Sequence, residues 1–195
     1  MSIKPILFNT EMVRAILEGR KSCTRRIVKP QQLIGMLPDK CKNGAPEEFL
    51  KEKKLMFKPY CDMTDIELIN TAYKAPYQPG NILYVRETWK KAPNGYYYYE
   101  DWQKNDIADI TKWKPSIHMP KEAARIWLKV TDVRVERLQD MTDDDAEAEG
   151  CFDYTSTALG FPDVWDSTIK KSDLDRYGWA ADPWVWVIEF ERKLN

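Results

Sequence analysis

The segment from residue 184 to residue 190 carries the clearest strand pattern in the sequence, and this pattern restricts the folds that the chain can adopt. Large side chains alternate along it. One set of alternate positions holds Trp184, Trp186, Ile188 and Phe190, and the other holds Val185, Val187 and Glu189. A repeat of two residues is the side-chain repeat of a β-strand. The chain therefore contains a long strand here, and the fold must supply strands that pair with it.

A second long strand is predicted over residues 125–137. In its first half three apolar residues share one face, namely Ile126, Leu128 and Val130. The alternation slips by one position at Thr131 and Asp132, after which Val133 and Val135 continue it. One extra residue in a strand produces such a slip, so we expect a β-bulge at this point.

Shorter strand signals precede these two. Residues 3–8 and 81–89 are each predicted as a short strand. The dipeptide Asn94-Gly95 is a turn signal that lies next to four consecutive tyrosines, and it predicts a β-hairpin.

The helix signals are few and short. Thr10 is expected to cap a helix over residues 10–18, and Gly19 is expected to end it. Thr142 and Gly150 are expected to play the same two roles around a segment rich in acidic residues. The sequence shows no βαβ alternation, no glycine-rich phosphate loop and no internal repeat. The pattern therefore predicts an α+β fold, built as a small β-barrel with flanking helices.

The 195 residues fit one domain, 1–195, with two insertions at about residues 31–79 and 151–181. The first insertion contains one predicted helix, over residues 46–54. Apolar residues make up 43% of the chain and charged residues 31%, a composition typical of a globular protein and not of a disordered one.

Composition also excludes several kinds of site. The four cysteines are scattered and His118 is the only histidine, so neither a zinc site nor a disulfide framework has a supporting pattern. We expect no metal and no cofactor. Scattered thiols suit a reducing cytoplasm, and no apolar run reaches the length of a signal peptide or a membrane span. We therefore expect a cytoplasmic protein without a membrane partner.

The formal net charge is −1, so contact with nucleic acid requires a local basic patch. Residues 19–26 provide a candidate, with four cations around a threonine: Arg20, Lys21, Thr24, Arg25 and Arg26. A basic run is most often a solvated turn. However, a lysine that loses its proton beside other cations can take one from a threonine hydroxyl and make it a nucleophile. Positions 21 and 24 of a regular strand face opposite ways, so this chemistry requires a turn or a bulge between them.

The order of motifs resembles the ASCH family, whose fold is related to the RNA-binding PUA domain. The resemblance begins with Phe8, the helix that follows it, and the Gly-x-Lys-x-x-Thr-x-Arg spacing from Gly19 to Arg26. Other segments follow in the family's order, at residues 80–85, 133–149 and 185–190. The resemblance implies a small PUA-like β-barrel with flanking helices and an RNA or nucleoside partner.

Three further segments resemble the version of the family found in bacteriophage and prophage genomes. They are residues 86–89, 115–120 and 148–150. This resemblance implies a phage- or prophage-encoded protein that works in the cytoplasm of a bacterial host cell. The small members of the family do not account for the two insertions.

Within the family, the bacterial 4-acetylcytidine amidohydrolases remove an acetyl group with a lysine, a threonine and a glutamate. Lys21 and Thr24 match the first two, and Glu149 matches the third, with Glu147 as its competitor. The resemblance implies that Thr24 attacks the amide carbonyl, that Lys21 acts as the base, and that Glu149 holds the lysine or relays a proton. Arg26 would stabilise the oxyanion or bind a phosphate.

A set of residues around the strand ends is predicted to bind the substrate. It comprises Phe8, Arg26, Arg86, Glu87, Trp89, Ser116, His118 and Met119. Arg86 and Glu87 can read a base edge while the Trp89 indole stacks on the base; the alternative is an ion pair at the rim and a tryptophan in the core. The loop from Ser116 to Met119 can close the pocket, although a lone histidine such as His118 is more often structural than catalytic.

Three functions share this predicted pocket. The first is recognition of a nucleoside or of RNA without established catalysis. The second is deacylation of a modified base such as 4-acetylcytidine, which would make the protein an amidohydrolase. The third is cleavage of single-stranded RNA by a ribonuclease. The sequence leaves open whether the protein is an enzyme.

Overall fold

The computed structural model describes residues 2–29, 64–102, 112–151 and 157–193. Within these ranges the chain forms a five-stranded sheet, a separate two-stranded hairpin and several short helices. The strands are β1 (Ile3–Leu7), β2 (Cys23–Ile27), β3 (Ile82–Arg86), β4 (Trp89–Ala92), β5 (Gly95–Tyr98), β6 (Trp127–Arg137) and β7 (Trp184–Lys193).

The α-helices are short and lie between the strands. They are α1 (Thr10–Leu17), α2 (Asp65–Ala72), α3 (Tyr99–Trp102), α4 (Asp143–Ala148), α5 (Thr157–Ser167) and α6 (Leu174–Tyr177). Turns of 3₁₀ helix occupy Ser116–His118, Lys121–Ala123, Leu138–Asp140, Lys171–Asp173 and Trp179–Ala181. Among the described residues, none of the helices has the length and apolar character that a membrane crossing requires.

The five-stranded sheet has the order β1-β3-β6-β7-β2. β1 runs parallel to β3, and the other neighbours are antiparallel. The β6–β7 ladder shifts its register between Val130 and Asp132. This shift confirms the bulge that the slipped alternation predicts.

The α+β class is confirmed, but the closed barrel is wrong. β1 and β2 are the two edges of the sheet, and no backbone ladder joins them in the part of the chain that the structure describes. A side chain connects them instead, because Arg26 Nη2 donates to the Leu7 carbonyl at 3.2 Å. Neighbouring strands of a ladder lie about 4.8 Å apart, and a guanidinium that reaches across from one edge to the other keeps the two backbones farther apart than that.

β7 is buried on both faces. Its larger set, which includes Trp186, Ile188 and Phe190, packs into the main core with side chains of α1, β3 and β6. Val185 and Val187 pack into a second core with Leu138, Ala146, Phe161 and Trp165. The alternation predicted for residues 184–190 is therefore confirmed. The second core attaches the segment that contains α5 to the sheet, since burial of each large apolar side chain contributes about 1.5–3 kcal/mol.

Two helix starts show how well local signals locate the elements. α4 begins with the predicted cap: Thr142 Oγ1 accepts from the Asp145 amide at 3.2 Å, and Asp145 accepts from the Thr142 amide at 2.9 Å. For α1 the predicted cap is wrong by one residue. Asn9 caps the helix, because its side-chain oxygen accepts from the Met12 amide at 2.8 Å and leaves Thr10 as the first helical residue.

The predicted hairpin is present as β4 and β5. Ala92 pairs with Gly95, so Pro93 and Asn94 form the turn, one residue earlier than Asn94-Gly95. The strand predicted over residues 81–89 is divided, with β3 ending at Arg86 and β4 beginning at Trp89. The helix predicted over residues 46–54 lies outside the described residues.

Backbone hydrogen bonds fix the turn between α1 and β2. The amides of Arg20 and Lys21 both donate to the Ala15 carbonyl, at 2.8 and 3.1 Å. The next amide, of Ser22, donates to the Ala148 carbonyl at the end of α4, at 2.8 Å. The chain therefore turns before β2 begins, as the lysine–threonine chemistry requires, and the turn lies against the end of α4.

Gly150 is expected to tolerate no side chain. Its φ is +89°, and an added Cβ would lie 2.8 Å from Ala15 Cβ and 3.3 Å from Lys21 Cβ. Gly19 has a similar φ of +77° with open space around it. We expect Gly19→Ala to lower the free energy of unfolding by about 1 kcal/mol through backbone strain alone. Gly150→Ala should lower it by about 2–4 kcal/mol, since overpacking adds to the strain. Urea unfolding of both variants measures the difference, and equal losses would contradict the close approach of α1, Lys21 and Gly150.

Candidate functional site

A buried ion pair joins the turn before β2 to the end of α4. Lys21 Nζ lies 2.6 Å from Glu149 Oε2, and it also donates to the Glu149 backbone carbonyl at 2.8 Å. Lys21 is 3% exposed and Glu149 is 6% exposed. Charges this deeply buried require close partners, because the loss of hydration costs several kcal/mol for each ion.

The choice between the two predicted glutamates follows from their positions at the end of α4. Glu147 is exposed, whereas Glu149 is buried and is the one beside Lys21. Residues two apart on a helix point in nearly opposite directions. Glu149 is therefore the third member of the group around Lys21.

Thr24 and Arg26 lie on one face of β2, because alternate residues of a strand share a face. Arg26 Nη1 donates to Thr24 Oγ1 at 3.2 Å. The ring of Phe8 brings the two cations of this face together: Lys21 Nζ lies 5.4 Å and Arg26 Cζ 5.6 Å from its centroid. Both distances are within the range of cation–π attraction. Four residues predicted from the sequence thus converge with Glu149.

Arg25 occupies the opposite face of β2 and has three carboxylate partners. Its Nη2 lies 2.6 Å from Glu136 Oε1 and 3.3 Å from Asp145 Oδ1, and its Nη1 lies 3.5 Å from Glu149 Oε1. The side chain is fully buried. Burial acts to lower the pKa of Arg25, but the surrounding charges, with Glu149 first among them, outweigh it and raise the pKa above its ordinary value.

Arg26 has a different environment. Besides Thr24, its guanidinium donates to the carbonyls of Arg25 and Leu7, at 3.1 and 3.2 Å. Among the described residues no carboxylate lies within ion-pair distance of it. Desolvation by burial lowers its pKa, although the guanidinium remains charged. A guanidinium bound by neutral oxygens keeps its attraction for an anion or for the acceptor edge of a base.

A cavity of about 430 Å³ opens beside these groups. One wall comes from β2 and the end of α4, and it includes Thr24, Arg26, Lys29 and Glu149. The facing wall comes from the second predicted insertion, and it includes Phe161, Trp165, Lys170 and Tyr177. The insertion therefore covers the predicted pocket and forms half of its surface.

The second group of predicted binding residues lies elsewhere. Arg125 Nε donates to Glu87 Oε1 and Arg125 Nη2 donates to Glu87 Oε2, each at 2.9 Å. Glu87 is therefore part of an ion pair. Trp89 is 5% exposed and packs with Met119 and Ala123 in a small core of its own. These partners correspond to the alternative interpretation, an ion pair and a core tryptophan, and the Trp89 ring has no free face on which a base could stack.

The loop from Ser116 to Met119 contains a 3₁₀ turn, and the side chain of Arg86 holds it by hydrogen bonds to its backbone. The Arg86 guanidinium donates to the Ile117 carbonyl and, at 2.9 Å, to the Met119 carbonyl. Met119 is buried, and its sulfur accepts from the Glu87 amide at 3.2 Å, whereas His118 is exposed.

The predicted residues thus fall into two groups. The structure brings together Lys21, Thr24, Arg26, Phe8 and Glu149. It places Arg86, Glu87, Trp89, Ser116, His118 and Met119 around a neighbouring cluster that does not line the cavity. One backbone hydrogen bond links the groups, from the Phe8 amide to the Arg86 carbonyl at 3.4 Å.

The sequence does not reveal the facing wall of the cavity or the separate role of Arg25. Arg25 belongs to the basic run of residues 19–26, but strand alternation separates it from Thr24 and Arg26. Trp165 and Tyr177 belong to an aromatic-rich insertion, and nothing local indicates that they face Glu149. In the residues described, no cluster of three or more histidine, cysteine or acidic side chains is arranged to hold a metal ion.

No family model matches the chain, and no curated protein matches it. Among solved structures it is similar to an ASCH domain from Lactobacillus crispatus JV V101. The match covers 98% of this chain and 79% of that chain, with a TM-score of 0.47 and 13% sequence identity.

Arg25 is expected to be essential for stability. Arg25→Met leaves three carboxylates near a buried position without their shared cation, and the loss of one partner from a buried ion pair costs about 3–5 kcal/mol. Arg134 provides the control, because it pairs with Asp145, Glu136 and Glu189 but is 38% exposed. Arg134→Met should cost about 1 kcal/mol or less. Thermal and urea unfolding compare the two variants; similar losses would show that Arg25 does not have this central role.

Cys23 is expected to be unreactive although it lies beside Lys21 and Arg25. Burial raises the pKa of its thiol to about 12, and the charge of Glu149 adds to this effect. Iodoacetamide at pH 8 should leave Cys23 unmodified in the folded protein and modify it in urea, as read by mass spectrometry of the peptides. Since the folded thiol keeps its proton longer than the unfolded one, whose pKa is about 9, its contribution to stability should be lost between about pH 9 and 12. Rapid labelling of folded Cys23 at pH 8 would contradict its burial.

Proposed function

We propose that the cavity beside β2 recognises a nucleoside, either free or as a unit of RNA. The observation that carries this proposal is the pairing of Glu149 with Arg26 on one wall and aromatic residues on the other. A carboxylate accepts hydrogen bonds from the exocyclic amine of a base, and a guanidinium donates to its carbonyl oxygen or ring nitrogen. Phe161 and Trp165 on the facing wall are as buried as Trp89, so they bound the cavity with an apolar surface against which a base can pack.

The hydrogen-bonding capacity of Glu149 supports this role. Each carboxylate oxygen has two acceptor sites. Lys21 takes one site on Oε2 and Arg25 lies near one on Oε1. Among the described residues these two cations are the side-chain donors to the carboxylate. They hold it in one orientation, and Glu149 lines the cavity. The cavity volume, about 430 Å³, falls in the range of about 300–1,000 Å³ that is usual for sites of small molecules.

A second candidate function is deacylation of an acylated exocyclic amine. The observation that favours it is the Lys21–Glu149 hydrogen bond of 2.6 Å, together with the fact that Glu149 and Thr24 line the same cavity. Lys21 can pass a proton to Glu149 and then accept the hydroxyl proton of Thr24 as its oxygen attacks the amide carbonyl. Arg26, which already donates to Thr24 Oγ1, is placed to stabilise the oxyanion.

Two further steps release the products, first the amine and then the carboxylic acid. Collapse of the tetrahedral intermediate breaks the carbon–nitrogen bond, and the departing amine takes a proton from Lys21. Water then hydrolyses the acyl ester on Thr24, which releases the carboxylic acid and restores the hydroxyl. No metal or cofactor enters these steps.

Binding measurements test the recognition proposal. Isothermal titration calorimetry with the four ribonucleosides, 4-acetylcytidine and a short single-stranded RNA should detect binding to the parent protein. Glu149→Gln and Arg26→Gln should each weaken it about tenfold or more, since a hydrogen bond to a charged group contributes about 1.5–3 kcal/mol. Glu147→Gln is the matched control, because that glutamate is exposed on the same helix end, and it should bind like the parent.

Mass spectrometry of the same mixtures tests catalysis. Conversion of 4-acetylcytidine to cytidine by the parent protein, lost in Thr24→Val while binding persists, would establish the amidohydrolase. Binding without conversion would leave recognition as the function, and shortened RNA would identify the ribonuclease instead. If no nucleoside or RNA binds to the folded parent protein, the recognition proposal is wrong.

A further inference from the structure

Two lysines at the cavity take no part in the contacts that the proposed recognition of a base uses. Lys29 lies just beyond β2, and its Nζ is 4.8 Å from the centroid of the Tyr177 ring on the facing wall. Lys170 lines the cavity on the same side as Tyr177. Two lysines therefore border the cavity away from Thr24 and Glu149.

The charges that line the cavity favour an anion. Four are cationic and two are carboxylates, in a chain whose net charge is −1: Arg25, Arg26, Lys29 and Lys170 face Glu149 and Asp173. Glu149 already has Lys21 and Arg25 as partners. On the side away from Glu149, the charged residues that line the cavity are Lys29, Lys170 and one acid, Asp173. This excess of positive charge favours an anionic group there.

The wall that carries these groups is held firmly. Trp165 Nε1 donates to the Tyr177 carbonyl at 2.8 Å, and this bond ties α5 to α6. The Trp179 amide donates to Asp166 Oδ1 at 2.7 Å, which ties the next turn to the same helix. The backbone of Tyr177 is thus fixed in position, and the Tyr177 ring lies within cation–π distance of Lys29.

One cavity holds both groups of charged side chains. Arg26, Glu149, Lys29 and Lys170 all line it, and its volume is about 430 Å³. Lys29 lies beyond the end of β2, beside the Tyr177 ring. A ligand whose base contacts Arg26 and Glu149 can therefore present its phosphate to Lys29 and Lys170.

From these observations we infer that Lys29, Lys170 and Tyr177 form a phosphate subsite, so that the ligand is a nucleotide unit and not a free nucleoside. This inference rests on the proposed recognition of a nucleoside in the same cavity. It assigns to the second insertion a part in choosing the ligand: Arg26 and Glu149 read the base, and Lys170 and Tyr177 of the insertion join Lys29 in the contact to phosphate.

The test compares each of the four ribonucleosides with its 5′- and 3′-monophosphate by calorimetry. We expect a monophosphate to bind about tenfold more tightly than its nucleoside, as charge-assisted hydrogen bonds predict. Lys29→Gln and Lys170→Gln should each reduce this ratio and leave nucleoside affinity unchanged. Tyr177→Leu should also reduce the ratio of monophosphate affinity to nucleoside affinity, and Tyr177→Phe should retain that ratio, because the ring remains. Lys171→Gln is the matched control, since Lys171 is exposed next to Lys170 and does not line the cavity.

The outcomes distinguish failure of the phosphate subsite from failure of nucleoside recognition. If nucleosides bind and phosphate adds no affinity, the subsite is wrong while nucleoside recognition stands. The subsite is also wrong if phosphate adds affinity that Lys29→Gln and Lys170→Gln leave intact, or that Lys171→Gln removes equally. If neither nucleosides nor nucleotides bind, recognition itself fails. A ratio that falls in the two lysine variants and not in the control supports the subsite.

Discussion

The carboxylate of Glu149 lies between two buried cations, and three separate parts of the chain meet at it. Lys21 comes from the turn after α1, Arg25 from β2, and Glu149 itself from the end of α4. None of these charges is favourable on its own in the interior, because each has lost its hydration. Together they offset one another, so α1, β2 and α4 cannot shift independently without separating a charge from its partner. The same constraint fixes the carboxylate of Glu149 at the cavity, which is the preorganisation that the proposed recognition requires.

The cavity combines two walls of different origin. The sheet side carries charge and hydrogen-bonding groups, and the side formed by α5 and α6 carries aromatic rings and lysines. The second core, around Val185 and Val187, is what fastens one wall to the other. Function and stability are thus linked through β7, since the strand that completes the main core also supports the cover of the site. A small domain gains a selective pocket in this way without enlarging its sheet.

Sequence patterns predicted the features of the fold that depend on interactions between residues close together in the chain. The alternation in β7, the bulge in β6 and the cap at Thr142 depend on side chains a few residues apart, and the structure has all three. Closure of a barrel depends on how closely two edge strands approach, and the reach of Arg26 to Leu7 is invisible in the sequence. Glu149 and Glu147 could not be separated by spacing, because only the packing of α4 against Lys21 decides which is buried. The contact between Trp165 and Tyr177 joins two helices of an irregular segment, for which no periodic signal exists.

The unequal sizes of the two sets of side chains on β7 have a consequence for the pairing of this strand. If β7 slipped by one residue against its neighbours, every side chain would change faces. Trp186 and Phe190 would then enter the smaller space now filled by Val185 and Val187, and the valines would leave voids in the main core. The slipped register would therefore be destabilised on both faces of β7, by overpacking on one and by cavities on the other. The side-chain sizes on β7 therefore permit one register of this strand. In that register β7 pairs with β2 and places Thr24 and Arg26 at the cavity.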